Sequence, residues 1–327
     1  MYLSHYMGIL NNTELPFYVQ SKKFPVKYDA KDPLEELWKI HDNAIEKEIF
    51  CDKPPKQSLL DLKIDISKRL FSDCILCEHR CHVDRNKESG KCKLTSTIIA
   101  SECIHHGEEK IFVPSHTIFF SGCNFQCVFC QNYDISQYQK GIIISPDQLT
   151  TIIDSRYNCE SINVNWVGGE PTPNLLFILQ NIKQLNISIP QIWNSNMYCS
   201  EETMKLLDGV IDVFLTDFKF GNNRCAERLA NIQHYFEVVS RNHLIAIKNA
   251  DVFIRHLILP NHICCCSKPI LTWIKKNTPE CMVNIMDQYH PAYKARSITE
   301  LQNICNTDEI QEVREFAKKL SLNIMND

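Results

Sequence analysis

The chain has 327 residues, with 35 Lys and Arg against 39 Asp and Glu and a net charge of -4. No long basic block occurs, which excludes the electrostatic footprint of a nucleic-acid binder. The length suits one large α/β domain plus a smaller module, expected as a monomer.

The opening Met1-Tyr-Leu-Ser-His-Tyr has neither a basic n-region nor an apolar h-region, and no later run is long enough to span a bilayer. A cytoplasmic protein without membrane contact is therefore expected. In a reducing compartment, the 17 cysteines at CxxC-type spacings read as metal ligands rather than as a disulfide framework.

Residues 1 to about 60 are polar and punctuated by proline. Asp32 as N-cap, Pro33 at the first helical position and Glu35 predict a helix. Its stripe of Leu34, Leu37, Trp38, His41, Ile45 and Ile49 is expected to pack on the main domain. A compact cysteine module follows from Cys74 to Cys92, and residues 1–110 are taken as an N-terminal unit, with 111–327 as the main domain.

From about residue 116 short apolar runs alternate with amphipathic helices. The runs are Thr117–Phe120, Ile162–Val167, Gln191–Trp193, Val213–Thr216, Phe253–Leu259 and Val283–Met286, and they predict parallel βα units. Helix starts are signalled at Ser145 with Gln148, at Ser200, and at Ser297 with Glu300. A doubly wound sheet competes with a barrel. Each run, however, is followed at once by reactive residues, including Gly168-Gly-Glu170, Asn194-Ser-Asn196 and Asp217-Phe-Lys219. Catalytic faces of barrels are built from loops at strand C-termini, which favours a partial (β/α)6 barrel of the TIM type.

Cys123, Cys127 and Cys130 form a CxxxCxxC loop directly after the first of these runs. Three thiolates on one loop can hold three irons of a [4Fe–4S] cube and leave the fourth open, as a catalytic metal requires. The spacing, with Phe129 before the last cysteine, resembles the signature of the radical S-adenosylmethionine (SAM) enzymes. That resemblance implies a [4Fe–4S] cluster whose open iron chelates SAM, and reductive cleavage of SAM to a 5′-deoxyadenosyl radical. Gly168-Gly169-Glu170-Pro171 resembles the family's GGEP motif, so Gly168, Gly169 and Glu170 are carried over as receiving the ammonium of SAM. On the residues alone, the paired glycines read as room for a ligand to approach the backbone.

Across the barrel the chain resembles pyruvate formate-lyase activating enzymes. By that resemblance Asp217 and Lys219 sit at the methionyl end of SAM, Arg255 matches a strand arginine, and His290 matches a histidine beyond the last strand. Asn194 and Ser195 occupy the place where some relatives bind a monovalent cation. Reduced flavodoxin or ferredoxin is the implied electron donor, and a glycyl-radical enzyme the implied substrate.

Cys74, Cys77, Cys81 and Cys92, with Gly90, can close a tetrahedral or cubane site, either a second [4Fe–4S] cluster or zinc. This module, His105-His-Gly-Glu108-Glu109 and Cys130-Gln-Asn132 resemble the PflX type of activating-enzyme relatives. His105, Glu108 and Glu109 are expected either to line a substrate mouth or to form a solvated loop. Cys264, Cys265 and Cys266 read as helix-entry packing, since three adjacent residues cannot all face one metal from a helix. Cys51, Cys103, Cys159, Cys199, Cys225, Cys281 and Cys305 read as small core hydrophobes. Two alternatives stand beside the activating enzyme: radical chemistry on another peptide or a small molecule, and a non-catalytic iron–sulfur or zinc protein.

Overall fold

Seven short β-rich runs, one more than expected within the main domain, line up in parallel behind an antiparallel edge strand. The computed structural model describes residues 2–45 and 54–325. The described strands are β1 (Ile99–His105), β2 (Ser115–Phe120), β3 (Val164–Gly168), β4 (Gln191–Ser195), β5 (Val213–Asp217), β6 (Asp251–Leu257), β7 (Met282–Met286) and β8 (Asn323–Ile324). They pair in sequence order, β1 with β2 antiparallel and every later neighbour parallel. Helices on the crossovers cover the outside, and the result is a partial TIM-type barrel. The β5–β6 register sets Asp217 opposite Arg255, and the β2–β3 register sets Phe120 opposite Gly168.

The N-terminal segment closes the barrel floor. Leu3 and Tyr6, on and beside the helix Ser4–Leu10, join Phe112, Ile192, Val213, Leu215 and Phe253 in one buried cluster. Each such fully buried side chain stabilises by about 1.5–3 kcal/mol. Asp212, fully buried before β5, accepts from the backbone N–H of Phe17 at 2.8 Å and of Gln191 at 2.7 Å. His5 Nε2 lies 3.0 Å from the same carboxylate. These bonds tie the first 17 residues to the N-terminal ends of the strands, leaving the opposite end open for chemistry.

The helix expected after Pro33 spans Leu34–Ile45 and buries Leu37, His41 and Ala44. Ile45 is exposed, because the inward face steps from 41 to 44; Ile49 and Cys51 lie outside the described residues. Asp32 does not cap this helix, since its carboxylate accepts from the Asp29 N–H at 3.0 Å instead. The Ser145–Gln148 capping box forms, and Ser200 caps Glu201–Leu207. Ser297 starts no α-helix: its hydroxyl donates to the Lys294 carbonyl at 2.7 Å. The box belongs instead to Asn306 and Glu309, which open Thr307–Lys319. No helix among the described residues is long and apolar enough to cross a membrane.

Candidate active site

The signature loop leaves β2 through Gly122, whose φ of +81° is open to glycine and whose absent Cβ would meet Leu94 at 2.6 Å. Its backbone is held from outside: Gln126 N–H donates to Ala230 O at 3.0 Å, Val128 N–H to Leu229 O at 2.9 Å, and Lys294 N–H to Val128 O at 2.9 Å. Phe129 stands edge-on to Phe220 and Tyr289, with centroids 6.0 and 6.2 Å away. The loop therefore has little freedom, and Cys123, Cys127 and Cys130 all point into one cleft of about 880 Å³, open on one side.

Burial raises the Cys123 thiol well above its ordinary pKa and pushes Cys127 up to about 12. Thiols this reluctant to ionise need a bound cation to become ligands, which suits a metal centre and not a free nucleophile. The donor set fits three corners of a cubane cluster. The Phe125 N–H donates to Cys123 Sγ at 3.3 Å, and Ser136 Oγ lies 3.3 Å from Cys130 Sγ.

The cleft is also lined by Gly168, Gly169, Glu170, Asn194, Asp217, Lys219 and Arg255. The paired glycines serve the chain's own backbone. A Cβ at Gly168 would lie 2.1 Å from Phe120 N, and one at Gly169 1.9 Å from Gly122 O. Gly168 thus passes against β2 and Gly169 against the signature loop, while both also line the cleft.

Glu170 is fully buried, and burial raises its pKa. Its Oε1 accepts from Ser195 Oγ and Thr172 Oγ1, both at 2.6 Å, and from Thr172 N–H at 3.3 Å; its Oε2 accepts only the Asn196 N–H, at 3.0 Å. A carboxylate oxygen has about two lone pairs, so Oε2 is the one with capacity for a further donor such as an ammonium. Ser195 thus works through Glu170 and does not itself line the cleft. The sequence reading missed Thr172 and Asn196; the Asn194-Ser-Asn196 run after a strand was the available signal.

Asp217 and Lys219 sit two apart at the end of β5, and the Lys219 ammonium bonds Asp217 Oδ2. Burial opposes the lysine charge, but the adjacent carboxylate outweighs it and raises the pKa. Tyr235 Oη accepts the Lys219 N–H at 2.7 Å and fixes the segment.

Arg255 reaches the cleft from β6 with its guanidinium already engaged. Its Nε donates to Glu109 Oε1 at 2.8 Å, and its Nη2 bonds both Glu108 and Glu109. Glu109 is buried and Glu108 half-buried, so the acidic end of the His-His-Gly-Glu-Glu segment is a built wall, while His106 and Gly107 are exposed. That wall belongs to a second cavity of about 860 Å³, which shares Arg255 and Met286 with the first. His290 is exposed at the rim, its Nδ1 3.2 Å from Gln131 Nε2, and does not line the cleft.

The four N-terminal cysteines gather beside this site. Burial raises the Cys77 thiol, and the nearby Cys92, Cys74 and Cys81 push it in the same direction. Gly90 leaves room for Cys81, whose Sγ would lie 2.9 Å from an added Cβ, and the Lys91 N–H donates to that Sγ at 3.4 Å. The buried Arg85 guanidinium lies 3.9 Å from Cys74 Sγ. Thiols, an N–H donor and a buried cation suit an anionic metal–thiolate centre. The backbone of Cys77 pairs antiparallel with that of Cys199 beyond β4, both thiols staying free, and Arg80 clasps Glu202 with two bonds of 3.0 Å.

A family model for the radical SAM superfamily matches residues 117–263, the stretch that contains the signature loop, Glu170, Asp217, Lys219 and Arg255. The uncharacterized protein MJ0674 of Methanocaldococcus jannaschii is 43% identical over 340 residues, covering 100% of both chains. The chain carries a radical SAM superfamily domain at residues 117–263. That superfamily uses SAM and a [4Fe–4S] cluster for radical reactions, and the domain supports an enzyme with that chemistry. Among solved structures, methylornithine synthase (PylB) shares 13% identity at a TM-score of 0.47, covering 98% of this chain and 78% of that one. Streptococcus suis SuiB bound to the precursor peptide SuiA shares 11% at a TM-score of 0.46. That match covers 89% of this radical SAM protein and 60% of SuiB.

Proposed function

We propose that this radical SAM protein cleaves SAM reductively and abstracts a hydrogen atom from a glycine of a partner enzyme, leaving a glycyl radical. The observation that carries the SAM half is the convergence of Cys123, Cys127, Cys130, Glu170 and the Asp217–Lys219 pair on one cleft. When bound, the cluster and SAM supply the electron and the 5′-deoxyadenosyl radical. The chain's own residues hold and orient. Glu170 Oε2 takes the ammonium, Asp217 and Lys219 flank the methionyl end, and Phe129 with its aromatic neighbours keeps water from the cluster side. Reduced flavodoxin or ferredoxin is the proposed electron donor. The glycyl half is supported by the motif resemblance to activating enzymes, including the segments ending at Glu109 and Asn132.

A second reading is favoured by the acidic wall at Glu108, Glu109 and Asp287 beside the cleft. Its carboxylates are already paired, Glu108 and Glu109 with Arg255 and Asp287 with Arg314, so a polar small molecule or peptide side chain with both donors and acceptors would be received there.

Anaerobically reconstituted protein given SAM and dithionite is expected to form 5′-deoxyadenosine. With the physically associated partner present, a glycine-centred doublet in the electron paramagnetic resonance spectrum is expected. Deuterium moving into 5′-deoxyadenosine from a labelled small molecule, with no such doublet from any partner, would select the second reading.

A further inference from the structure

Outside the cleft and the N-terminal module, four side chains converge at one point behind the loops that follow β5 and β6. The ligand atoms of Cys225, His262, Cys265 and Cys266 all lie within 4.8 Å of one another. His262 Nδ1 is 3.7 Å from Cys225 Sγ, 3.3 Å from Cys265 Sγ and 3.8 Å from Cys266 Sγ, and the Cys225 and Cys265 sulfurs are 3.8 Å apart.

We propose that these residues form a closed tetrahedral zinc site. With Zn–S of about 2.3 Å and Zn–N of about 2.0–2.1 Å, a tetrahedron sets S···S near about 3.8 Å and S···N near about 3.6 Å. The observed separations match those edges. They are too short for a cubane, whose cysteine sulfurs bind different irons. Three cysteines and one histidine leave no open position, so the role is structural.

The local geometry is built for it. His262, Cys265 and Cys266 stand at i, i+3 and i+4, which face one way on a helix. This corrects the reading of the cysteine triplet as plain packing: three adjacent residues indeed cannot share a metal, but two of them with the histidine can. Cys264, on the other face, is exposed. The turn Ile263–Ser267 is a π-helical one, in which the N–H groups of Cys266 and Ser267 both reach the His262 carbonyl, at 2.8 and 3.3 Å. Wide turns of this kind often mark functional sites.

Cys225, read from the sequence as a core hydrophobe, is delivered by the first turn of Asn223–Ala230. Asn222 caps that helix through the Cys225 N–H at 2.9 Å, and its Nδ2 lies 2.7 Å from the Cys265 carbonyl and 3.4 Å from Cys225 Sγ. Gly221 is required for the approach, since a Cβ there would lie 2.7 Å from Cys265 O and Cys266 O. The far end of the same helix supplies the Leu229 and Ala230 carbonyls that hold the signature loop. Zinc at this point therefore pins the loop after Lys219 to the loop after Arg255, and through the helix it steadies Cys127.

The test is metal analysis combined with thiol reactivity. In a Cys77→Ala background, which breaks the N-terminal thiol set, about one zinc per chain should remain, and adding Cys225→Ser and Cys265→Ser should remove it. Zinc retained by the folded triple variant, or zinc absent from the Cys77→Ala protein, would overturn the site. A second measurement needs no variant. In the unsubstituted protein, Cys265 should alkylate at least about tenfold faster after zinc chelation than before, while Cys264 reacts freely in both states. Equal reactivity of Cys265 before and after chelation would overturn the proposal.

Discussion

His79 Nε2 lies 2.8 Å from the carbonyl oxygen of Asn124, joining the N-terminal cysteine module to the signature loop. Burial lowers the His79 pKa, so the ring is neutral near pH 7 and donates from Nε2. The ring also stands edge-on to Tyr198, which packs on Phe125 of the same loop. The two cysteine sets are thus mechanically coupled.

His79→Phe keeps the ring contact and removes the bond, and should cost about 1 kcal/mol of stability. The unfolded chain protonates near the ordinary value of 6.5 while the folded one resists. This part of the stability is full above that pH and declines below it. Thermal midpoints measured under argon across pH 5 to 8, about the histidine range, should show a shallower acid-side fall in the variant. An unchanged slope would remove His79 from the linkage.

Cys127→Ala should abolish 5′-deoxyadenosine formation while metal at Cys74–Cys92 and Cys225–Cys266 stays, because the thiol sets are separate in space. Elemental analysis of a well-folded variant checks this; concerted loss of every metal would contradict it.

Glu170→Gln and Asp217→Asn should weaken SAM binding about ten- to a hundredfold, equivalent to roughly 1–3 kcal/mol, without lowering iron content. Equilibrium binding of labelled SAM to the reconstituted protein reads the change directly. If both variants bind SAM like the parent, the proposed cradle is wrong.

Arg255→Met should strand the buried Glu109 carboxylate and destabilise by about 3–5 kcal/mol at neutral pH. In the parent protein burial raises the Glu109 pKa, but the Arg255 bonds outweigh it, so the net shift is downward. Its contribution is therefore present above the ordinary 4.5 and lost as pH falls below that value. In Arg255→Met the sign reverses: Glu109 takes up a proton more readily when folded, so the variant should recover stability on acidification. Unfolding midpoints at two pH values decide between these slopes.

The N-terminal module offers a stoichiometric choice. If it holds [4Fe–4S], anaerobic protein should contain about eight irons per chain, against about four if it holds zinc. For an electron relay, Cys77→Ala should slow flavodoxin-driven turnover more than dithionite-driven turnover. Equal losses with both donors would leave a structural clip.

Chemistry carried by one short segment was legible from the chain alone. The CxxxCxxC loop, Gly-Gly-Glu after β3 and Asp-x-Lys after β5 owe their meaning to spacing and to a place just beyond a strand. The strand runs were readable too, because burial on both faces demands continuous apolar residues. Tertiary structure decided whatever depends on which elements become neighbours. Arg255 meets Glu108 and Glu109 across 147 and 146 residues, and Cys225 meets His262 across 37. Neither pairing has a local signature. The same holds for the glycine pair, crowded by Phe120 of β2 and by Gly122 of the signature loop, and for Ser297, whose capping pattern lost to Asn306 nine residues on. Propensity and spacing act within a turn or two of chain, whereas parallel strand pairing brings remote loops to one end of the barrel.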